Sequence, residues 1–269
     1  MTTPWQLKIY EKSFKKKEKV AAIDHFTGDL NGKVCLEIGC DKGVTSYFLR
    51  KKGGWWVSAD IDHENVKITN ELIDDHPIWI DEKGLPFGDG VFDYVLAIDT
   101  LEHIEADGDF LKEIRRVVKD DGKICITVPC SDTKLFLNRI AGKIGMTKEY
   151  YGHKRTGYTV GTLGDLLKET DFSLMRHDYF SMPFTEGIEL SINFLYVFVL
   201  NKGAMKKGIK GSISPVSDQD FNAHSMAFKL FTLIRPVFNA IIAAGNRLKF
   251  PLGYCLMVEA RRADLKGHR

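Results

Sequence analysis

The 269-residue chain is 44% hydrophobic and 28% charged, a composition typical of a soluble globular protein with a core of ordinary size. Its five cysteines include no C-x-x-C pair, so we expect reduced thiols in the cytoplasm, no disulfide framework and no metal site. The net charge of +2 divides into +4 over residues 1–19, −10 over 20–200, +6 over 201–250 and +2 beyond, and the acidic central block argues against a nucleic-acid partner.

Apolar runs rich in β-branched residues alternate with helical patterns along most of the chain. Strands are predicted at residues 34–39, 55–60, 78–81, 92–99, 123–128, 173–180 and 254–260. Helices are predicted at 44–52, 63–74, 108–119 and 160–170, after a basic helical segment over 1–30. The alternation predicts an α/β fold with a Rossmann-like, doubly wound sheet of seven strands.

A glycine turn follows the first predicted strand, with the sequence EIGCDKG over residues 37–43. Glycine at such a turn lets a ligand approach the backbone, or supplies a backbone angle that other residues avoid. A dinucleotide-binding turn would have glycine at Asp41, where a carboxylate repels a pyrophosphate but tolerates the ammonium of a zwitterionic ligand. Taken alone, the turn is equally consistent with a plain strand-to-helix connector.

Two carboxylates close the second strand about 20 residues further on, at the spacing at which an acid reaches the hydroxyls of a ribose. We assign Asp60 to the ribose and Asp62 to the N-cap of the following helix. The alternative is that either residue merely caps that helix.

Five stretches in order carry a resemblance to a known family: LEIGCDKG, SADID, the D-x-x-x-LPF segment, FDYVLAIDTLEHI and FLKEIRRVVKDDGKICITVP. On these motifs, residues 33–130 resemble the cofactor domain of class I S-adenosylmethionine-dependent methyltransferases, especially the branch that acts on quinone precursors, small molecules and lipids. The resemblance implies a domain over 31–180 and 253–269 with an antiparallel last strand. It also implies S-adenosylmethionine as cofactor and S-adenosylhomocysteine as product.

The same resemblance implies a cofactor site at the carboxyl edge of the sheet. The expected site residues are Glu37, Gly39, Cys40, Gly43, Asp60, Ile61, Asp81 and Asp99. The glutamate and glycines of the turn would surround the methionine moiety, and Asp60 would hold the ribose. Asp81 would accept a hydrogen bond from the adenine amino group, and Asp99 would lie beside the sulfonium. Asp41 departs from the family pattern, which most often has a further glycine there.

Two histidines are candidate catalytic residues. Methyl transfer from a sulfonium is an in-line displacement, so alignment contributes most and a general base less. His103 follows the fourth strand and His153 lies in the loop after the fifth, so either could take a proton from the acceptor. The alternatives are a His103 that only fixes its loop by a hydrogen bond and a His153 on a plain surface loop.

Residues 181–252 separate the last two strands and are expected to form a helical insert. They contain an apolar run over 188–200 that is shorter than a membrane span, a basic linker over 201–214 and a basic amphipathic helix within 221–250, with a kink at Pro236. The predicted polar face of this helix comprises Lys229, Thr232, Arg235, Pro236 and Asn239. Its predicted apolar face comprises Leu230, Phe231, Ile234, Val237, Phe238 and Ile241.

Two interpretations of the insert remain open at this point. Its apolar face could pack as a helical cap on the catalytic domain. Alternatively, residues 202–250 could lie on an anionic membrane surface or enclose a lipid-like acceptor, aided by lysines 202, 206, 207 and 210 and by the lysine-rich segment 8–19. For segment 8–19 alone, a solvated helix face is the favoured interpretation.

The sequence therefore predicts a methyltransferase for a small or lipid-like acceptor, with oxygen as the favoured methylated atom, in the cytoplasm or at the inner membrane surface. A catalytically silent protein of the same fold that docks on a membrane or a protein is the main alternative. A nicotinamide-dependent oxidoreductase is weaker because of Asp41. The acceptor, methylation at nitrogen or carbon, and the oligomeric state stay open.

Overall fold

The computed structural model of the protein describes residues 3–195, 217–223 and 225–263. Helices and strands alternate along these ranges, and all are numbered in chain order. The helices are α1 Trp5–Lys12, α2 Phe14–Thr27, α3 Val44–Lys52, α4 His63–Ile73, α5 Asp107–Val117, α6 Phe136–Lys143, α7 Lys148–Tyr151, α8 Val160–Glu169, α9 Pro183–Phe194, α10 Asp218–Ala223 and α11 Ser225–Asn246. The strands are β1 Val34–Ile38, β2 Trp55–Asp60, β3 Ile78–Trp79, β4 Phe92–Ile98, β5 Val118–Pro129, β6 Phe172–Phe180 and β7 Cys255–Arg262.

The seven strands form one sheet in the order β3-β2-β1-β4-β5-β7-β6. Strands β1 to β5 pair in parallel, and β7 runs antiparallel between β5 and β6. This confirms the predicted doubly wound fold with an antiparallel last strand. The chain order reverses between β1 and β4, and in such sheets ligands bind outside the carboxyl ends of the strands at that point.

Helices cover both faces of the sheet, because side chains of successive strand residues point to opposite faces. On β4, Val95 and Ala97 join the core cluster that contains α5 and α8, while Tyr94 and Leu96 join the cluster that contains α2 and α3. Burial of apolar surface on both sides is the main stabilising contribution to the fold. Strand β5 begins at Val118, five residues earlier than predicted, because α5 ends at Val117.

The N-terminal basic segment packs against the domain through its apolar side chains, so it is more than a plain solvated helix. Its contact with a membrane stays a prediction. Ser13 is the N-cap of helix α2, and its hydroxyl accepts a hydrogen bond from the backbone N–H of Lys16. Its apolar side chains Phe14, Ile23 and Phe26 are buried. The same orientation brings several of its lysines to the carboxyl edge of the sheet.

The insert between β6 and β7 is helical in its described parts, as predicted, and α11 continues through Pro236. Its faces differ from the prediction: Phe231 and Phe238 lie against Phe14, with ring centroids 6.0 and 6.3 Å away, and the guanidinium of Arg235 also lies over that ring. Thr232 accepts a hydrogen bond from Lys12 at 2.8 Å. The predicted polar and apolar faces are therefore both divided between the packed and the exposed sides of the helix.

Several expectations for the insert concern residues outside the described ranges. They are the end of the apolar run over 196–200 and the linker over 201–214 with its lysines 202, 206, 207 and 210, together with the side chains of Lys229 and Leu230. Among the described helices, none is long and apolar enough to cross a lipid bilayer.

Candidate active site

The glycine turn lies at the carboxyl edge of β1, at the switch point of the sheet. Gly39 has φ +86°, and a Cβ there would stand 2.3 Å from the carbonyl oxygen of Ile98 and 2.4 Å from the hydroxyl of Thr100. Gly43 has φ +79° and starts α3, with Thr69 against it. Glycine is therefore required at both positions by backbone angle and by close packing. The turn positions its backbone N–H groups beside the ends of β2 and β4.

The two carboxylates at the end of β2 make different hydrogen bonds. Asp62 is the N-cap of α4, and its side chain accepts a hydrogen bond from Glu64 N–H at 2.8 Å, which confirms the predicted cap. Asp60 is 4% exposed and accepts hydrogen bonds from the backbone N–H of Asp41 and of Asp62, each at 2.9 Å. Asp60 thus ties the glycine turn to the end of β2. Its role toward a ribose stays a prediction.

Two ion pairs join α2 to this edge. Lys16 Nζ lies 3.4 Å from Asp41 Oδ2, and Lys19 forms a short ion pair with Asp99. The nearby lysines, Lys16 first among them, hold the pKa of Asp41 at about 2, below its ordinary value. The pKa of Asp99 is likewise lowered, because Lys19 outweighs the effect of burial. The edge therefore presents both carboxylates and ammonium groups within one small region.

Asp99 has an unusual backbone conformation for an aspartate, with φ +44°. Two interactions with Thr127 of β5 hold it there: the backbone N–H of Asp99 donates to the Thr127 carbonyl at 2.8 Å, and the Thr127 hydroxyl donates to Asp99 Oδ1 at 2.7 Å. Strained residues of this kind persist where the surrounding structure fixes them, and they are common at functional sites. The structure thus fixes Asp99 at the carboxyl end of β4. Its position beside a sulfonium stays a prediction.

The remaining predicted cofactor residues differ in how deeply their side chains are buried. Glu37 is completely buried beneath the turn, where Ser58 donates to it at 2.6 Å, and burial raises its pKa to about 7. Cys40 is also buried. Ile61 packs partly against the core, and its carbonyl accepts from the indole of Trp79 at 3.0 Å. Asp81 is exposed just beyond β3 and accepts from Lys83 N–H at 3.0 Å. Contact of each with a cofactor stays a prediction.

The structure brings the two candidate histidines together. His103 ends the short helical turn Leu101–His103 after β4, and His153 follows α7, yet their ring centroids are 4.7 Å apart. Burial and the neighbouring His103 lower the pKa of His153 to about 4. His153 is therefore neutral at physiological pH and able to accept a hydrogen bond.

The loop that carries His153 is anchored to the loop after β4. Tyr158 donates to Asp107 at 2.7 Å, Arg155 pairs with the same carboxylate, and Lys154 N–H donates to the carbonyl of Glu102 at 2.7 Å. These contacts connect residues about 50 positions apart in sequence. The loop after β5 accordingly lies beside the loop after β4.

Sequence reasoning missed the contribution of α2 and α9 to the site. Lys15 donates to Glu186 at 2.9 Å, and the backbone N–H of Lys15 and the hydroxyl of Ser13 donate to Glu189 at 3.0 and 2.8 Å. These partners are more than 170 residues apart. The one available signal was the i, i+4 spacing of Lys15 and Lys19 on a helix whose other face is apolar.

A seven-stranded doubly wound sheet with an antiparallel last strand and this arrangement of acids around a glycine turn defines a class I methyltransferase fold. Residues 12–177, well over half of the chain, match the family model described as a methyltransferase domain. The chain belongs to this family of S-adenosylmethionine-dependent methyltransferases.

Individual relatives are similar at low identity. The human protein "Arginine-hydroxylase NDUFAF5, mitochondrial" is 25% identical over 66% of this chain and 59% of its own length. The "Ubiquinone biosynthesis O-methyltransferase" of Bordetella bronchiseptica is 23% identical over 45% of this chain and 52% of its own. The chain thus spans between half and three fifths of these relatives. A solved chain from the Haloferax volcanii complex with the Trm112 methyltransferase activator shares the fold, with a TM-score of 0.59, 13% identity and coverage of 97% and 93%.

Proposed function

We propose that the protein binds S-adenosylmethionine at the glycine turn and transfers its methyl group to a small or lipid-like acceptor, most directly at oxygen. The observation that carries the proposal is the set of ion pairs Lys16–Asp41 and Lys19–Asp99 across the turn. The methionine end of the cofactor carries one carboxylate and one ammonium. Two lysines and two aspartates supply partners for both charges, so the donor set fits this zwitterion.

The departure at Asp41 fits the same ligand. A glycine there would leave Lys16 without its carboxylate, whereas Asp41 balances that lysine and offers an acceptor to an ammonium group. A pyrophosphate at the turn would meet the Asp41 carboxylate and would be repelled by it. The pairing therefore favours S-adenosylmethionine over a dinucleotide.

The cofactor, when bound, supplies an activated methyl group on its sulfonium. The protein's own residues have to position it: Asp60 for the ribose, Asp81 for the adenine and Asp99 near the charged centre. Alignment of this kind can contribute roughly 7–11 kcal/mol to a displacement reaction. His103 and His153 lie at the same edge and are the proposed proton acceptors for a hydroxyl acceptor.

Transfer is tested by incubating the protein with methyl-labelled cofactor and a panel of phenolic, carboxylic, amine and lipid-extracted acceptors, followed by mass spectrometry. The proposal predicts acceptors that gain one methyl group together with label, and a loss of roughly 10²–10⁴ in rate for His153→Ala if that residue is the base. Lys17→Ala, which changes an exposed pair with Glu11, is the control. Acceptors that instead gain one oxygen atom would contradict methyl transfer and point to hydroxylation, the activity in the human relative's name.

We also propose that the insert contacts an anionic membrane surface. Helix α11 leaves a row of apolar side chains exposed at Leu233, Ile234, Val237 and Ile241, with Leu233 77% and Val237 60% accessible. Residues 201–250 carry a charge of +6. Apolar side chains beside basic residues are the features that bind a helix to anionic lipid.

Co-sedimentation with vesicles tests this surface. We expect the protein to pellet with vesicles that contain an anionic lipid, and the pelleted fraction to fall for Leu233→Ser with Val237→Ser but not for Val91→Ser, an exposed residue just before the amino end of β4. If the protein stays in the supernatant to the same extent with neutral and with anionic vesicles, binding to an anionic membrane is contradicted. If methyl transfer is also absent, this result would favour the alternative that the chain is a docking protein whose exposed apolar row binds another protein.

A further inference from the structure

Three potential metal ligands converge beside the candidate active site. Glu102, His103 and His153 each offer one ligand atom, and these three atoms all lie within 4.8 Å of one another. The first two stand on the turn after β4, and the third comes from the loop after α7. The backbone hydrogen bond from Lys154 to Glu102 fixes the separation of the two loops. Two elements that are distant in sequence therefore present one converging set of side chains.

Glu102 supplies a second and independent observation. The side chain is 1% exposed, and its Oε2 atom has no hydrogen-bond partner within the part of the chain that the structure describes. Burying a carboxylate oxygen without a partner is costly, and native structures normally satisfy such an atom with a donor or a cation. The unpartnered oxygen belongs to a side chain of the same cluster as the two imidazoles. A cation bound there would satisfy it.

We propose that Glu102, His103 and His153 bind a divalent transition-metal ion. Imidazole nitrogen is a ligand that zinc and iron prefer and that magnesium and calcium do not, so two histidines with one carboxylate select the former group. Three protein ligands leave at least one coordination position open, which is the arrangement of catalytic rather than structural sites. The site is thus built to present an ion to water or to a ligand.

The ion would act on the acceptor, and this consequence rests on the proposed methyl transfer. An acceptor hydroxyl bound at the open position loses its proton to water more readily, because the metal ion stabilises the resulting oxyanion. That oxygen then forms the new bond to the methyl carbon while the carbon–sulfur bond breaks and its electrons stay on sulfur. The two histidines would then be ligands instead of proton acceptors.

Metal binding is tested without cofactor or acceptor, so its outcome is independent of methyl transfer. The full chain is stripped with a chelator and titrated with Zn²⁺ by calorimetry. We expect one equivalent to bind tightly, and Glu102→Gln and His153→Ala each to weaken binding by at least about 100-fold. His177→Ala is the matched control, since this exposed histidine lies on β6 away from the cluster and should leave Zn²⁺ binding unchanged.

Thermal unfolding provides the second readout and shows whether each variant is folded. Zn²⁺ should raise the melting temperature of the wild type and of His177→Ala, and it should leave that of a folded His153→Ala variant unchanged. Two results would overturn the proposal: a wild-type protein that does not bind the ion, or binding that survives both Glu102→Gln and His153→Ala. Methyl transfer that persists in chelator-treated protein would show that the ion has no catalytic role, and the proposed metal-binding site would be unaffected by that result.

Discussion

At the scale of single residues, Gly39 is the position where the turn tolerates least change. It combines a positive φ with a carbonyl and a hydroxyl at the place a Cβ would occupy. We expect Gly39→Ala to lower the free energy of unfolding by about 1–3 kcal/mol from backbone strain, and by more if Thr100 cannot move aside. Chemical denaturation measures the change.

Gly142 offers the matched control for this substitution. It lies in α6 without a positive φ and has open space where a Cβ would go. Gly142→Ala should be neutral or should stabilise the protein by about 0.4–1 kcal/mol. Equal effects of the two substitutions would contradict the account of the turn.

Glu37 makes stability depend on pH, with a sign set by its raised pKa. The ordinary value of 4.5 rises to about 7 in the folded protein because of burial. The folded state therefore retains a proton that the unfolded state has released between these values, and stability falls as pH rises through that window. The loss can reach about 1.4 kcal/mol per pH unit.

Glu37→Gln should remove this dependence. Denaturation at a series of pH values from 4.5 to 8 would show a shallower slope for Glu37→Gln than for the wild type, while the exposed Glu64→Gln keeps the wild-type slope. Parallel slopes for all three proteins would show that Glu37 is not the group responsible.

At the scale of elements, the sheet and its flanking helices were predictable because each shows its own local pattern. All seven strands appear where alternation and β-branched residues indicated them, and α3, α4, α5 and α8 start within one residue of the prediction. The parallel topology places His103, directly after β4, at the carboxyl edge of the sheet, but the contact between His103 and His153 was not predicted. The actual positions needed the contacts of the 150–158 loop, which no local pattern reveals.

Helix α2 shows what the sequence could not decide. Its lysines are as compatible with a solvated face as with a buried site, and the choice depends on Asp41, Asp99 and Glu186, which lie 25 to more than 170 residues away. The orientation of α11 could not be predicted from its own periodicity for a similar reason. Phe14 of α2 contacts both Phe231 and Arg235, one from each predicted face of α11. Tertiary packing, not the amphipathic pattern, therefore decides which side of α11 is packed.

The lysines of α2 give a prediction at this scale. Lys16→Ala and Lys19→Ala should each weaken binding of S-adenosylmethionine by about 10- to 100-fold, as expected for loss of a charge-assisted hydrogen bond to its carboxylate. Lys17→Ala on the same helix, whose partner is Glu11, should bind like the wild type. Calorimetric titration of the three variants makes the comparison. Similar affinities for all three would place the cofactor carboxylate elsewhere.

At the scale of the whole molecule, the fold assembles the site from segments that span nearly the entire chain. The acidic central block forms the sheet and contributes the carboxylates, while the basic N-terminal segment supplies their partners. The insert adds α9, whose Glu186 and Glu189 hold α2 in place, and α11, which packs on Phe14. Cofactor binding should therefore stabilise the N-terminal helices together with the sheet.

Titration of the purified full chain with S-adenosylmethionine tests the central claim most directly. The structure predicts one binding site, a raised melting temperature in its presence, and no comparable binding of a nicotinamide dinucleotide, because Asp41 repels a pyrophosphate. Absence of binding and of thermal stabilisation at about 1 mM S-adenosylmethionine, or preferential binding of the dinucleotide, would contradict the account.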